Sequence, residues 1–175
     1  MSPWVVTHSR VLSPDPELES CAERGRFSLS FLVSVEAVRD RIFQALTNAE
    51  YMETWLMIPH QRAGTAASVS SSLDGFYIQY QDEKLRLASI TGFYETCRRG
   101  KILFTWNRAD RVNIAPSRVE IRLHGNFSGT ELSLVHAGLG SEEEVTWHRR
   151  LWEGSLQNMC RLLHRTACVS SDSAN

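Results

Sequence analysis

At 175 residues, 42% hydrophobic and 22% charged, the chain is long enough to bury one core and too short for two comfortable domains. A formal net charge of −1 and a pI near 6.6 exclude the clustered basic surplus that nucleic acid or an anionic membrane surface would need. Cys21, Cys97, Cys160 and Cys168 stand far apart with no C-x-x-C pair, which excludes a written zinc or redox motif and fits reduced thiols in a cytoplasmic protein.

Residues 1–24 hold Pro3, Pro14 and Pro16 among scattered charges and show no period, so they read as a flexible N-terminal arm. Nothing there has the continuous apolar core of a signal peptide, and no run of about 18 apolar residues follows, so a cytoplasmic protein with no membrane span is expected. The first strand is the clearest element: Phe27, Leu29, Phe31 and Val33 alternate with Ser28, Ser30, Leu32 and Ser34. Ser34 is placed to cap a helix with Val38, Ile42, Ala45 and Leu46 on one stripe. A second short helix opens at Asn48, carries Glu50 in its first turn and Tyr51, Met52, Trp55 and Leu56 as apolar bulk, and stops before Pro59.

Strand patterns then follow at 68–71, 76–81, 86–95, 101–106, 117–124 and 130–137, with separations short enough to make most of them antiparallel neighbours. Arg98, Arg99, Gly100 and Lys101 form the densest basic run, which reads as a solvated hairpin turn between two strands rather than a phosphate cradle. Val119, Ile121 and Leu123 alternate with charged residues, so one face of that strand meets water, and 126–129 make the next turn. For 86–95 both parities are partly apolar, which leaves its inward face and the role of Glu95 open.

The chain closes with a two-faced helix from Ser141 to about Arg165, roughly 37 Å long. Ser141 and Glu144 have capping-box spacing, Glu142 and Glu143 share the positive end, and Arg161, His164 and Arg165 occupy the negative end. Val145, His148, Trp152, Leu156, Met159 and Leu163 fall in one arc, opposite Arg150, Glu153, Gln157, Arg161 and Arg165. The expected fold is therefore α+β, a helix-grip: a curved antiparallel sheet of six to seven strands around a long C-terminal helix, with two short helices after the first strand. Its expected span is 25–165, with 166–175 a disordered tail.

The segment 34–50 with Trp55 and Pro59, then 92–95 (Gly-Phe-Tyr-Glu), 102–106 (Ile-Leu-Phe-Thr-Trp) and 129–139 (Gly-Thr-Glu-Leu-Ser-Leu-Val-His-Ala-Gly-Leu) carry a resemblance. In order and spacing they resemble the activator of heat-shock-protein-90 ATPase homologue-like branch of the SRPBCC (START and birch-pollen-allergen-like) superfamily. That resemblance implies the helix-grip fold and a range of roles, from hydrophobic-ligand carriers to cyclases and co-chaperone domains. The sequence departs from the pattern at Leu151-Trp152, where glycine commonly precedes the tryptophan, and in a long loop at 108–116 beside the expected cavity mouth.

The leading functional expectation is a small hydrophobic, lipid-like or amphipathic ligand enclosed between sheet and closing helix. Strand and helix parity nominate Trp55, Phe76, Ile78, Tyr80, Ile90, Phe104, Trp106, Ile121, Leu134, His136, Trp152, Leu156 and Met159 as the cavity wall. At roughly 0.8 kcal/mol per buried methylene, an acyl chain of about ten carbons would gain some 8 kcal/mol before association costs. Those same aromatics can instead fill the groove themselves. His136 shares the inward face with Leu132 and Leu134, where it serves either as an acid–base group or as a backbone-pinning side chain. His148 and Arg149 edge the helix stripe and suit either ligand orientation or solvation.

Two rival readings stand beside this one. A cyclase or hydrolase would use His136 or a buried tyrosine as acid or base; an interaction domain would partner a chaperone or itself as a homodimer through an apolar patch on the outer sheet face or around Trp55 and Met57. No nucleophile elbow, metalloprotease helix, phosphate loop or dinucleotide fingerprint is present, so no catalytic residue, metal or cofactor is assigned.

Overall fold

The computed structural model describes residues 27–61, 65–110 and 115–171. The arm expected at 1–24 and the last four residues lie outside them. The elements run β1 (Phe27–Val35), α1 (Arg39–Thr47), α2 (Ala49–Trp55), β2 (Ser68–Ser71), β3 (Gly75–Gln81), β4 (Leu87–Arg98), β5 (Lys101–Arg108), β6 (Ser117–Asn126), β7 (Gly129–Leu139) and α3 (Glu142–Ser171). All seven strands pair antiparallel in the order β1-β7-β6-β5-β4-β3-β2. This is the expected helix-grip architecture. α3 packs its apolar face against the inner surface of the sheet, approaching it most closely at β1 and β7.

In β1 the period of two sends Leu29, Phe31, Val33 and Val35 into the core. Ser34 does not cap α1. It stays in the ladder opposite Glu131, because β1 pairs with β7 as far as Val35 and Thr130, and the Thr130 hydroxyl then donates to the Ala37 carbonyl at 2.8 Å. Helix formation is delayed until Arg39; Val38 becomes an N-cap without a side-chain bond and is largely exposed, off the stripe predicted for it. Asn48 behaves as predicted, its Oδ1 accepting from the Tyr51 N–H at 3.3 Å. Trp55 is buried and donates its indole N–H to the Ala45 carbonyl at 2.7 Å, which fastens α2 to α1.

β4 resolves the face that patterning left open. Ile90 and Gly92 are buried inward, and Gly92 faces Phe76 across the ladder, where a bare backbone leaves room for the Phe76 ring. Glu95 lies outward and pairs with Arg118 at 2.9 Å. A register irregularity between Tyr94 and Thr96 bends the strand.

The start of α3 uses half of the predicted capping box. The Glu144 N–H donates to Ser141 Oγ at 3.2 Å, while the Glu144 carboxylate accepts from the Gly140 N–H at 2.7 Å. His148, Leu151, Trp152, Ser155, Leu156, Met159, Cys160 and Leu163 are buried, a stripe broader than the predicted arc by Leu151, Ser155 and Cys160. The helix also runs to Ser171, beyond the end placed near Arg165.

Candidate functional site

The inward groups meet first around His136, which β7 presents between Leu29 of β1 and Val119 of β6. Its ring is fully buried. The Trp152 indole N–H donates to His136 Nδ1 at 3.1 Å, so Nδ1 carries no proton and Nε2 carries one. That Nε2–H donates to Ser117 Oγ at 2.7 Å, and the Ser117 hydroxyl donates onward to the Trp106 carbonyl at 3.2 Å. Burial, helped by the neighbouring His148, pushes the His136 pKa well below the usual imidazole range and keeps it neutral. His148 stands edge-on to it, ring centroids 4.5 Å apart, with its Nδ1–H donating to the Glu144 carbonyl at 2.8 Å. Both ring nitrogens of His136 are therefore spent on the protein, which ties β7, β6 and α3 together.

Next to this chain the interior is occupied by aromatic rings. Phe76, Tyr94, Phe104, Trp106 and Trp152 contact one another with centroids 5.2–6.3 Å apart at tilted or edge-to-face angles. The void remaining among them, bounded also by Trp55, Ile121 and the α2 side chains, is about 20 Å³. That is room for a single water, not for an acyl chain. The enclosed apolar chamber expected from the sequence is thus filled by its own wall. Two polar atoms border it without a partner among the described residues, the Tyr94 hydroxyl and the Trp106 indole nitrogen.

Space of ligand size lies instead at one end of the grip. An open cleft of about 870 Å³ runs between the β3–β4 turn, the end of β5, the α2–β2 connection and the first turns of α3. Pro59, His60, Tyr80, Leu87, Ala88, Thr146 and Trp147 line it, together with Lys84, Arg86, Arg108 and Arg150 and, in equal number, Asp82, Glu83, Asp110 and Glu143. The Glu83 N–H donates to the His60 carbonyl at 3.1 Å and Gln61 bridges to Asp82, which fixes one wall. His60 and Leu85 both hold positive φ, 60° and 64°, a conformation that costs energy for residues with a side chain. Asp82 accepts from the Lys84 and Arg86 backbone N–H groups and from the Arg86 guanidinium; the Arg86 backbone bond is the largest cause of its lowered pKa.

Arg108 is the unusual member of this lining. It follows Phe104 and Trp106 at strand spacing, so β5 turns it inward, and it is only 8% exposed. Its Nε and Nη2 donate to the Asp110 carboxylate at 3.0 and 2.6 Å, and its guanidinium carbon sits 3.7 Å from the centre of the Trp147 ring. Tyr80, nearby, has its pKa raised by burial, against which the Arg108 charge works. At neutral pH it remains a phenol.

All the residues nominated from the sequence are buried, and they divide by place. Tyr80 alone lines the open cleft; Trp55, Phe76, Phe104, Trp106, Ile121 and Trp152 surround the small void; Ile78, Ile90, Leu134, His136, Leu156 and Met159 border neither space. Of Trp55 and Met57, only Met57 is exposed, with Tyr51 exposed on the helix that carries Trp55. Sequence reasoning missed Arg108, Asp110 and Trp147. Arg108 was legible as an inward parity position one step past the predicted end of β5, whereas the approach of Trp147 depends on packing between β5 and α3. Among the described residues no group of His, Cys, Asp or Glu is arranged to hold a metal, and no helix is long and apolar enough to cross a membrane.

The sequence profile described as activator of Hsp90 ATPase homolog 1-like protein matches residues 36–164. No curated protein sequence matches the chain. Among solved structures the chain is similar to protein CV1439 from Chromobacterium violaceum, with 16% identity and a TM-score of 0.65 over 78% of this chain and 96% of that one. It is also similar to the AHSA1 protein SPO3351 from Silicibacter pomeroyi, at 17% identity and TM-score 0.64, covering 80% and 99%. Protein Ms6760 from Mycobacterium smegmatis aligns at 14% identity and TM-score 0.64, covering 92% and 97%. At these identities the likeness is one of fold.

Proposed function

The chain belongs to the activator of Hsp90 ATPase homolog 1-like family, and from that premise we propose that it binds a small amphipathic molecule in the cleft between the β3–β5 ends and the start of α3. One contrast carries this reading: about 870 Å³ of cleft against about 20 Å³ of interior void. A drug-sized or metabolite-sized ligand fits the former and not the latter. The lining is mixed in the way an amphipathic ligand requires, with Trp147, Leu87 and Ala88 as apolar wall and charged heads around the rim. Strain at His60 and Leu85 supports the same location, since backbone of this kind concentrates at binding sites. Acid–base chemistry through His136 finds no support, because that ring has no nitrogen left for a substrate.

The test is a fragment set of aromatic acids, amides and ketones titrated into the isotopically labelled protein, read by amide and indole N–H shifts. Binders are expected to move Trp147 and its cleft neighbours saturably, and Trp147→Ala to weaken them about tenfold. Shifts confined to Trp55 and Trp106, or none with any fragment, overturn the reading.

A further inference from the structure

β3 turns Tyr80 inward with Phe76 and Ile78 and sets it opposite Ala88, another residue of the cleft wall. The side chain is more than nine-tenths buried. Its hydroxyl makes no hydrogen bond among the described residues, and unlike the Tyr94 hydroxyl it is not sealed from solvent. The opening is on the cleft, because the charged groups that bear on the ionisation of the hydroxyl, Arg108, Asp110 and Asp82, all line that space. A ligand entering there displaces the water on the hydroxyl, and one that offers no acceptor loses a hydrogen bond by doing so. The same charges limit what the acceptor can be. Asp110 is engaged by Arg108 at 2.6 Å and Asp82 by Arg86 at 2.8 Å, so an anionic head laid on the hydroxyl would meet two carboxylates whose guanidinium partners are already taken.

We propose that Tyr80 reads the polar head of the cleft's ligand: its hydroxyl donates to an uncharged acceptor oxygen on an aromatic molecule whose apolar part lies against Trp147, Leu87 and Ala88. This rests on the cleft being the binding site and adds to it a head group and a specificity-determining residue. The hydroxyl is not spent on holding the fold together, so removing it separates recognition from stability.

Three probes of one shape, 2-naphthamide, 2-ethylnaphthalene and 2-naphthoate, are titrated into the full chain and into Tyr80→Phe while the Trp147 indole N–H is followed. The variant keeps the ring and loses only the hydroxyl, so it is expected to unfold at the same denaturant concentration as the unmodified protein. The amide should bind the unmodified protein about fivefold more tightly than the hydrocarbon, the yield of one neutral hydrogen bond, and naphthoate no more tightly than the amide. In Tyr80→Phe the amide should lose that advantage while the hydrocarbon binds as before. Equal binding of the amide by the two proteins overturns the inference and leaves the cleft standing as a site. Equal binding of amide and hydrocarbon by the unmodified protein does the same without recourse to the variant. Tighter binding of naphthoate than of the amide overturns the uncharged head group. If no probe shifts Trp147, the inference falls together with the cleft.

Discussion

His136 owes its state to neighbours rather than to its own chemistry. The Trp152 N–H fixes the tautomer, Ser117 takes the remaining proton donor, and complete burial penalises the charged form. The folded state therefore resists protonation at a pH where the unfolded chain accepts it. With the folded pKa well below the ordinary 6.5, the contribution to stability is complete above that value and shrinks as pH falls toward the folded pKa. The loss approaches about 1.4 kcal/mol per pH unit for this one proton. Denaturant unfolding of the protein and of His136→Gln should show a stability gap near pH 7 that narrows steadily toward pH 5. A constant gap would mean that the ring titrates alike in both states. Strand parity located this residue on the inner face; the tautomer required Trp152 from α3, sixteen positions on, and Ser117 from the adjacent strand.

At the level of elements, β4 shows where patterning runs out. Leu87, Ser89, Thr91 and Phe93 compete with Ala88, Ile90, Gly92 and Tyr94 as an inner face, and composition alone does not separate them. Pairing does: Ile78 and Phe76 of β3 sit opposite Ile90 and Gly92, and the Phe76 ring occupies the place a side chain at 92 would take. Gly92→Ala would put a methyl group into that ring and also close on the Thr105 carbonyl, 2.8 Å away. It is expected to cost about 1–3 kcal/mol as overpacking, with Phe76→Leu in the same chain recovering part of the loss. Chemical denaturation of the two single variants and the double variant measures both effects; full additivity would show that the two positions do not touch. α1 makes the complementary point, for the cap predicted at Ser34 was locally sound and lost to the longer β1–β7 ladder.

For the whole molecule, the grip is closed on its own rings. Phe76, Phe104, Trp106 and Trp152 span the distance from sheet to helix, which leaves no chain-length cavity beneath α3. Native mass spectrometry and solvent extraction of the purified protein should accordingly return the bare polypeptide mass and no acyl compound, and added decanoate should not raise the unfolding temperature. A stoichiometric lipid would show that α2 and α3 part to admit it. The cleft, by contrast, lies where β3, β4 and β5 end and the first turns of α3 begin, so its lining comes from four separated stretches of chain.

Periodicity was enough, on its own, to determine the elements, their order, the helix-grip arrangement and the inward direction of nearly every core side chain, because each of these depends on residues a few positions apart. The family came separately, from the resemblance carried by the segments at 34–50, 92–95, 102–106 and 129–139. Whether the core encloses a void, which nitrogen of His136 holds the proton, and how Trp147 and Asp110 converge on Arg108 were decided only by tertiary structure. Free volume is the small remainder after large side chains from distant segments have packed, and hydrogen-bond partners are chosen by distances that no spacing along the chain encodes.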